Sequence, residues 1–135
     1  MKKVFLILLF FFNFFHLTSS EIKLIKIFDG LNKPWSLSFV DENNILVTEK
    51  PGNLLIINLK DKTKSVIKHN LNVLEDGQGG LLDVLFHKEY VYVSYSENRG
   101  NRYSSTSVAR GVFNKKKIVF KNIFRAEPPI NSGYH

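Results

Sequence analysis

Gly77-Gln78-Gly79-Gly80-Leu81-Leu82-Asp83 is the stretch whose residue types and spacing could do chemistry. Three glycines let the backbone take positive φ angles or pass close to a ligand. Gln78 sits among them with two donors and one acceptor. A strand-like apolar run, Leu81 to Phe86, follows at once. A polar side chain on a tight loop at the mouth of a strand can present one group to a small molecule. The plainer reading is a glycine-rich turn with a solvated glutamine. A dinucleotide fingerprint is excluded: the run reads G-x-G-x-x-L, and a strand-like segment follows it where a helix is required.

Other chemistry is sparse. Zero cysteines exclude disulfides, thiolate metal sites and a cysteine nucleophile. Asp41-Glu42 and Glu75-Asp76 are acidic pairs on turns, and no acidic cluster has calcium-loop spacing. His69 reads as a solvated surface residue and His87, in Phe86-His87-Lys88, as a turn residue.

The chain has 135 residues, and its start does not belong to the fold. Lys2 and Lys3 form a positive leader to Val4–Leu17, an almost wholly apolar run with six phenylalanines. Thr18-Ser19-Ser20 supplies small residues before Glu21. This is the pattern of a secretory signal peptide over residues 1–20. The run is shorter than the roughly 20 apolar residues that span a bilayer. We expect an exported protein, periplasmic or secreted, with no membrane attachment after cleavage. The formal net charge of +7 includes Lys2 and Lys3, and the remaining lysines are scattered. Lys115-Lys116-Lys117 falls at a hairpin turn, so a nucleic-acid partner is not expected.

No segment of the remainder has helical periodicity. Short apolar runs recur instead, split by Gly, Pro, Asn and Asp. Residues 22–28 read as a first strand. Trp35, Leu37 and Phe39 alternate with Ser36 and Ser38 as a half-buried strand, with Trp35 in the core. Strands are then expected over 45–48, 54–59 and 65–68. The pattern begins again with 81–86, 90–96, 105–113 and 118–120, with Ile123-Phe124 a possible further edge.

The two groups echo each other. Phe39 and Phe86 each end a strand, and they lie 47 residues apart (86 − 39). A four-stranded unit recurring about every 40–50 residues is the mark of a β-propeller blade. The fold class is therefore all-β, with two blades of a propeller; a β-sandwich is the competing architecture. Two blades cannot close a ring, and repeat units need neighbours to bury their faces. The chain also stops abruptly after Pro128-Pro129 at Asn131-Ser132-Gly133-Tyr134-His135. Residues 21–135 are expected to be the N-terminal part of an incomplete domain.

Five motifs now stand in order: Gly30 to Phe39, Ile45 to Gly52, Gly77 to Val84, Val91 to Ser96, and Phe124-Arg125 leading to Ser132-Gly133-Tyr134-His135. Together they resemble the soluble sugar dehydrogenases that use pyrroloquinoline quinone, the glucose/sorbosone or aldose-sugar dehydrogenase family. The resemblance covers residues 28–135. It implies a six-bladed β-propeller exported to the periplasm, of which this chain supplies about the first third. It implies oxidation of the anomeric hydroxyl of an aldose to a lactone, with hydride passing to the quinone and calcium polarising that cofactor. The electron acceptor that reoxidises it is not specified.

Two residues match the family's motifs. His135 takes the place of the histidine used as general base, and imidazole can accept a proton near neutral pH. Gln78 takes the place of a glutamine lining the sugar pocket. One position departs. The glucose-oxidising branch has an acidic residue before this histidine, and here it is Tyr134. That favours the broader aldose branch. The family's quinone and calcium contacts come mostly from later blades, and no metal ligand is assigned here. The rival functions are a non-catalytic secreted propeller that binds a ligand, and an inactive fragment.

Overall fold

The computed structural model describes residues 21–131. Residues 1–20, where a signal peptide is expected, and residues 132–135, with His135, lie outside the described residues. Among the described residues there are nine strands and no helix.

The first sheet follows chain order. β1 (Pro34–Phe39), β2 (Asn44–Glu49), β3 (Asn53–Asn58) and β4 (Thr63–His69) pair antiparallel with their neighbours. β5 (Leu81–His87), β6 (Tyr90–Asn98), β7 (Ser104–Val112) and β9 (Lys121–Arg125) form a second antiparallel meander. Short turns set the registers. Lys88, at φ 56, and Glu89 separate His87 from Tyr90, so His87 is a turn-flanking residue. Asp41 accepts the backbone N–H of Asn43 and Asn44 and so closes the β1–β2 turn.

The apolar runs of β2 and β3 keep period-2 alternation although both faces are covered. Leu46, Leu54 and Ile56 face the second sheet; Ile45, Val47, Leu55 and Ile57 face away from it. The shared core between the sheets adds Ile67, Leu81, Val84, Val91, Val93, Tyr95, Ala109, Ile118 and Phe120. Fully burying each large aliphatic side chain there contributes about 1.5–3 kcal/mol.

The 47-residue echo is structural. In β1 the register shifts between Pro34 and Ser36, and in β5 between Leu81 and Val84. Pro34 and Leu81, where the two irregularities begin, are themselves 47 residues apart (81 − 34). The two inner strands lie side by side, with the Ser36 hydroxyl donating to Asp83 Oδ1 and the Phe86 N–H donating to Ser38 Oγ at 2.9 Å. Two such meanders packed face to face are successive blades of a β-propeller.

Three expectations are corrected. Residues 22–28 form no strand: the segment pairs with no sheet edge, and Ile22 and Leu24 are 89% and 94% exposed. Only its end is held, by Lys62 Nζ donating to the Ile27 carbonyl and Lys64 Nζ to the Gly30 carbonyl, while Phe28 and Leu31 pack on the outer face of β2 and β3. The fourth strand of the second blade is β9, not residues 118–120. Instead, β8 (Lys117–Ile118) crosses to pair parallel with β4, and Ile118 and Phe120 plug the core between blades. Gly111 makes room for this crossing, since a Cβ there would sit 2.8 Å from the Val119 carbonyl oxygen. Trp35 is not core among the described residues. It is 51% exposed and shares the face of β1 that points away from the second blade with Leu37 and Phe39.

Candidate functional site

The glycine-rich stretch lies at the mouth of β5, the inner strand of the second blade. Gly77 has φ 53, and the Gly79 N–H donates to the Asp76 carbonyl at 2.7 Å. That closes a tight turn with Gly77 and Gln78 at its two central positions. Positive φ at the first of them is the II′ pattern, which favours glycine there. Gln78 is the exposed tip, and its amide makes no hydrogen bond within the described residues. Both its donors and its acceptor are therefore free for a ligand.

The base of the turn is wedged between the blades. A Cβ on Gly79 would lie 2.7 Å from Ser96 Oγ, and one on Gly80 would meet the Lys50 carbonyl and lie 2.6 Å from Lys50 Cγ. Hydrogen bonds occupy these close approaches. The Gly80 N–H donates to Ser96 Oγ at 3.2 Å, the Ser96 N–H to the Gly80 carbonyl at 2.8 Å, and the Leu81 N–H to the Lys50 carbonyl at 3.0 Å. Lys50 Nζ donates to the Gly77 carbonyl. On the approach to the turn, Lys33 Nζ pairs with Glu75 at 2.8 Å. The glycines thus serve close packing as well as turn geometry. Lys50 and Ser96 are the residues that sequence reasoning passed over. The signal for them was the third glycine, which implies a neighbour pressed against the backbone.

Asp83, unlike Gln78, is anchored through one of its oxygens. Its Oδ1 accepts from Ser36 Oγ and from the Val84 N–H, so it ties the inner strands together. Nor is His69 a solvated residue. It is half-buried, with Nε2 2.8 Å from the Gly52 carbonyl and Nδ1 accepting the Leu71 N–H. Its ring spans the β2–β3 turn and the connection that runs on to Gln78.

A second polar group lies at the same end of the second blade. Glu97 accepts from Arg125 through both oxygens, from Ser107 at 2.7 Å and from Asn122 at 2.9 Å. Burial raises the Glu97 pKa, but the bonds from Arg125 and Ser107 outweigh it and hold the carboxyl below its ordinary value. The Tyr95 hydroxyl donates to Asn122 at 2.8 Å, and burial pushes its pKa up. This cluster is fully paired and braces β6, β7 and β9.

His135 lies outside the described residues, so its distance to Gln78 is not defined. The described chain does leave the second blade at the turn's end of the sheet. Ile130 pairs with Ser104 through two 2.9 Å backbone bonds, and Ser104 faces Asn98, the last residue of β6. Among the described residues no group of three His, Asp or Glu could hold a metal ion. Of the cations around the turn, Lys33 is paired with Glu75, Lys50 donates to the Gly77 carbonyl, and Arg102 lies 3.7 Å from Asp76.

Two four-stranded meanders packed as successive blades define a β-propeller protein, with the glycine-rich turn at the mouth of an inner strand. The model of the glucose/sorbosone dehydrogenase family matches residues 31–135, and the chain belongs to that family of oxidoreductases. The aldose sugar dehydrogenase YliI of Escherichia coli strain K12 is 29% identical over 116 residues, covering 79% of this chain and 31% of that protein. A crystal structure of a glucose dehydrogenase superposes with a TM-score of 0.72 at 35% identity, covering 78% of this chain and 33% of the other. The PQQ-bound form of an aldose sugar dehydrogenase from Streptomyces coelicolor shares the fold, with a TM-score of 0.66 at 22% identity over 78% of this chain and 34% of its own. The chain spans about a third of the length of the relatives it matches.

Proposed function

We propose that the chain forms the first blades of an exported sugar dehydrogenase that oxidises the anomeric hydroxyl of an aldose to a lactone. Pyrroloquinoline quinone is the two-electron acceptor in this reading and calcium the ion that polarises it. Support for the quinone comes from the family and from the PQQ-bound Streptomyces relative. Residues elsewhere in the protein would hold both groups. The observation that carries the reading for this chain is Gln78, an unpaired amide fixed at the tip of a clamped turn. Its carbonyl accepts from one sugar hydroxyl and its NH₂ donates to another. His135 takes the proton from the anomeric oxygen as the C1–H bond breaks and the C1–O bond gains its second bond order. Tyr134, in place of an acid, favours the broader aldose branch over the glucose-oxidising one.

The test is turnover of an aldose panel by the full reading frame, with an artificial electron acceptor. Activity is expected only when quinone and calcium are added. His135→Ala should then lower kcat by about 10²–10⁴-fold, the usual worth of a general base, with the fold intact by circular dichroism. A fully loaded protein inactive on every aldose would leave a non-catalytic binding propeller.

A further inference from the structure

Lys50 joins three pieces of chain that would otherwise be independent. Its N–H donates to the Lys33 carbonyl at 3.0 Å, tying the β2–β3 turn to the loop before β1. Its carbonyl accepts the Leu81 N–H at 3.0 Å, tying it to the start of β5. Its ammonium reaches the Gly77 carbonyl, the residue before Gln78, while lying 6.0 Å from the centre of the Trp35 ring. The bond lies inside the turn rather than at its base. The flanking contacts fix Gly80 and Leu81, but Gly77 is also free to adopt other φ values because it lacks a Cβ. A charged donor on its carbonyl selects one of them, and charge-assisted hydrogen bonds are the stronger kind.

We propose that Lys50 is a positioning residue for ligand binding: its ammonium, on the Gly77 carbonyl, sets the direction in which Gln78 presents its amide. This rests on Gln78 being a sugar contact, as argued above. Lys50 touches no substrate in this scheme. Its effect passes through Gln78, and without Gln78 it has none. It acts on substrate affinity rather than on the chemical step, since it pre-pays the ordering of the turn that the sugar would otherwise impose.

The test uses the full reading frame, reconstituted with quinone and calcium, and glucose, galactose and arabinose as probe sugars. Lys50→Met keeps the aliphatic stem and removes the donor; Lys50→Arg keeps a donor. Amide hydrogen exchange is followed in the cofactor-free protein. Lys50→Met is expected to raise KM about fivefold, the worth of one hydrogen bond, with kcat little changed. Exchange at Gly77–Leu81 should quicken while β2 and β3 stay protected, and Lys50→Arg should stay near wild type in both readouts. Gln78→Ala should raise KM, and adding Lys50→Met to it should raise it no further. Unchanged KM and exchange in Lys50→Met would overturn the proposal. So would an equal KM increase in the Gln78→Ala background. If no probe sugar is turned over, or Gln78→Ala leaves KM unchanged, the sugar reading of Gln78 falls. Exchange then decides on the clamp alone: faster at Gly77–Leu81 upholds it, unchanged removes it.

Discussion

At the scale of single residues, the chain separates groups that are presented from groups that are engaged. Gln78 belongs to the first kind; His69 and Glu97 belong to the second, although their residue types are at least as reactive. Glu97 makes this measurable. Its folded pKa is depressed below its ordinary value of 4.5. A carboxylate so shifted adds stability above its unfolded pKa, and that stability is lost as pH falls through the folded value. Glu97→Gln should therefore flatten the loss of thermal stability as pH falls below about 5. Because Arg125 is 43% exposed, solvent screening keeps the loss at neutral pH small. Thermal melts across that range, wild type against variant, check the sign. Equal acid slopes would show that Glu97 carries none of the acid sensitivity.

At the scale of elements, the inner strands carry the information. Both β1 and β5 begin with a register shift at matching positions, and irregularities of this kind commonly re-aim side chains beside functional sites. The glycine-rich turn fits its slot only without side chains. Gly80→Ala should destabilise the protein by about 1–3 kcal/mol, because the added Cβ meets the Lys50 carbonyl backbone, which cannot swing away. Denaturant unfolding of the full reading frame measures this. Leu54→Ala, in the shared core, should cost about 2–5 kcal/mol by leaving a cavity between the blades. Strand identity was largely legible from apolar runs and punctuating turns. Two elements were not. Residues 22–28 have a strand's composition but no edge to pair with, and Lys117–Ile118 left its own blade because Ile118 and Phe120 fit the gap between sheets.

At the scale of the whole molecule, the core lies between the blades and each blade keeps an open apolar face. On the first, Trp35, Leu37 and Phe39 are 51%, 55% and 61% exposed, above an apolar groove of about 690 Å³. On the second, Leu85, Val112 and Phe124 are all more than half exposed. Propeller blades bury such faces against further blades. Residues 21–135 expressed alone should bind a hydrophobic dye and lack a cooperative unfolding transition. A sharp transition in the isolated segment would show that these two blades are self-sufficient.

What the sequence by itself determined is local and periodic: alternation marks strands, Gly, Pro and Asn mark turns, and the 47-residue echo marks repeated units. It also singled out Gln78, because glycines around an amide announce a special backbone. Tertiary structure alone decided which polar groups remain free. Lys50, Ser96 and Gln78 are all polar residues at strand ends, and nothing in their spacing ranks them. Pairing β5 with β6 brings Ser96 onto the turn, packing the blades face to face brings Lys50, and Gln78 is left without a partner. That choice is made by contacts between residues 16 to 27 positions apart. Their energies exist only once distant parts of the chain have paired.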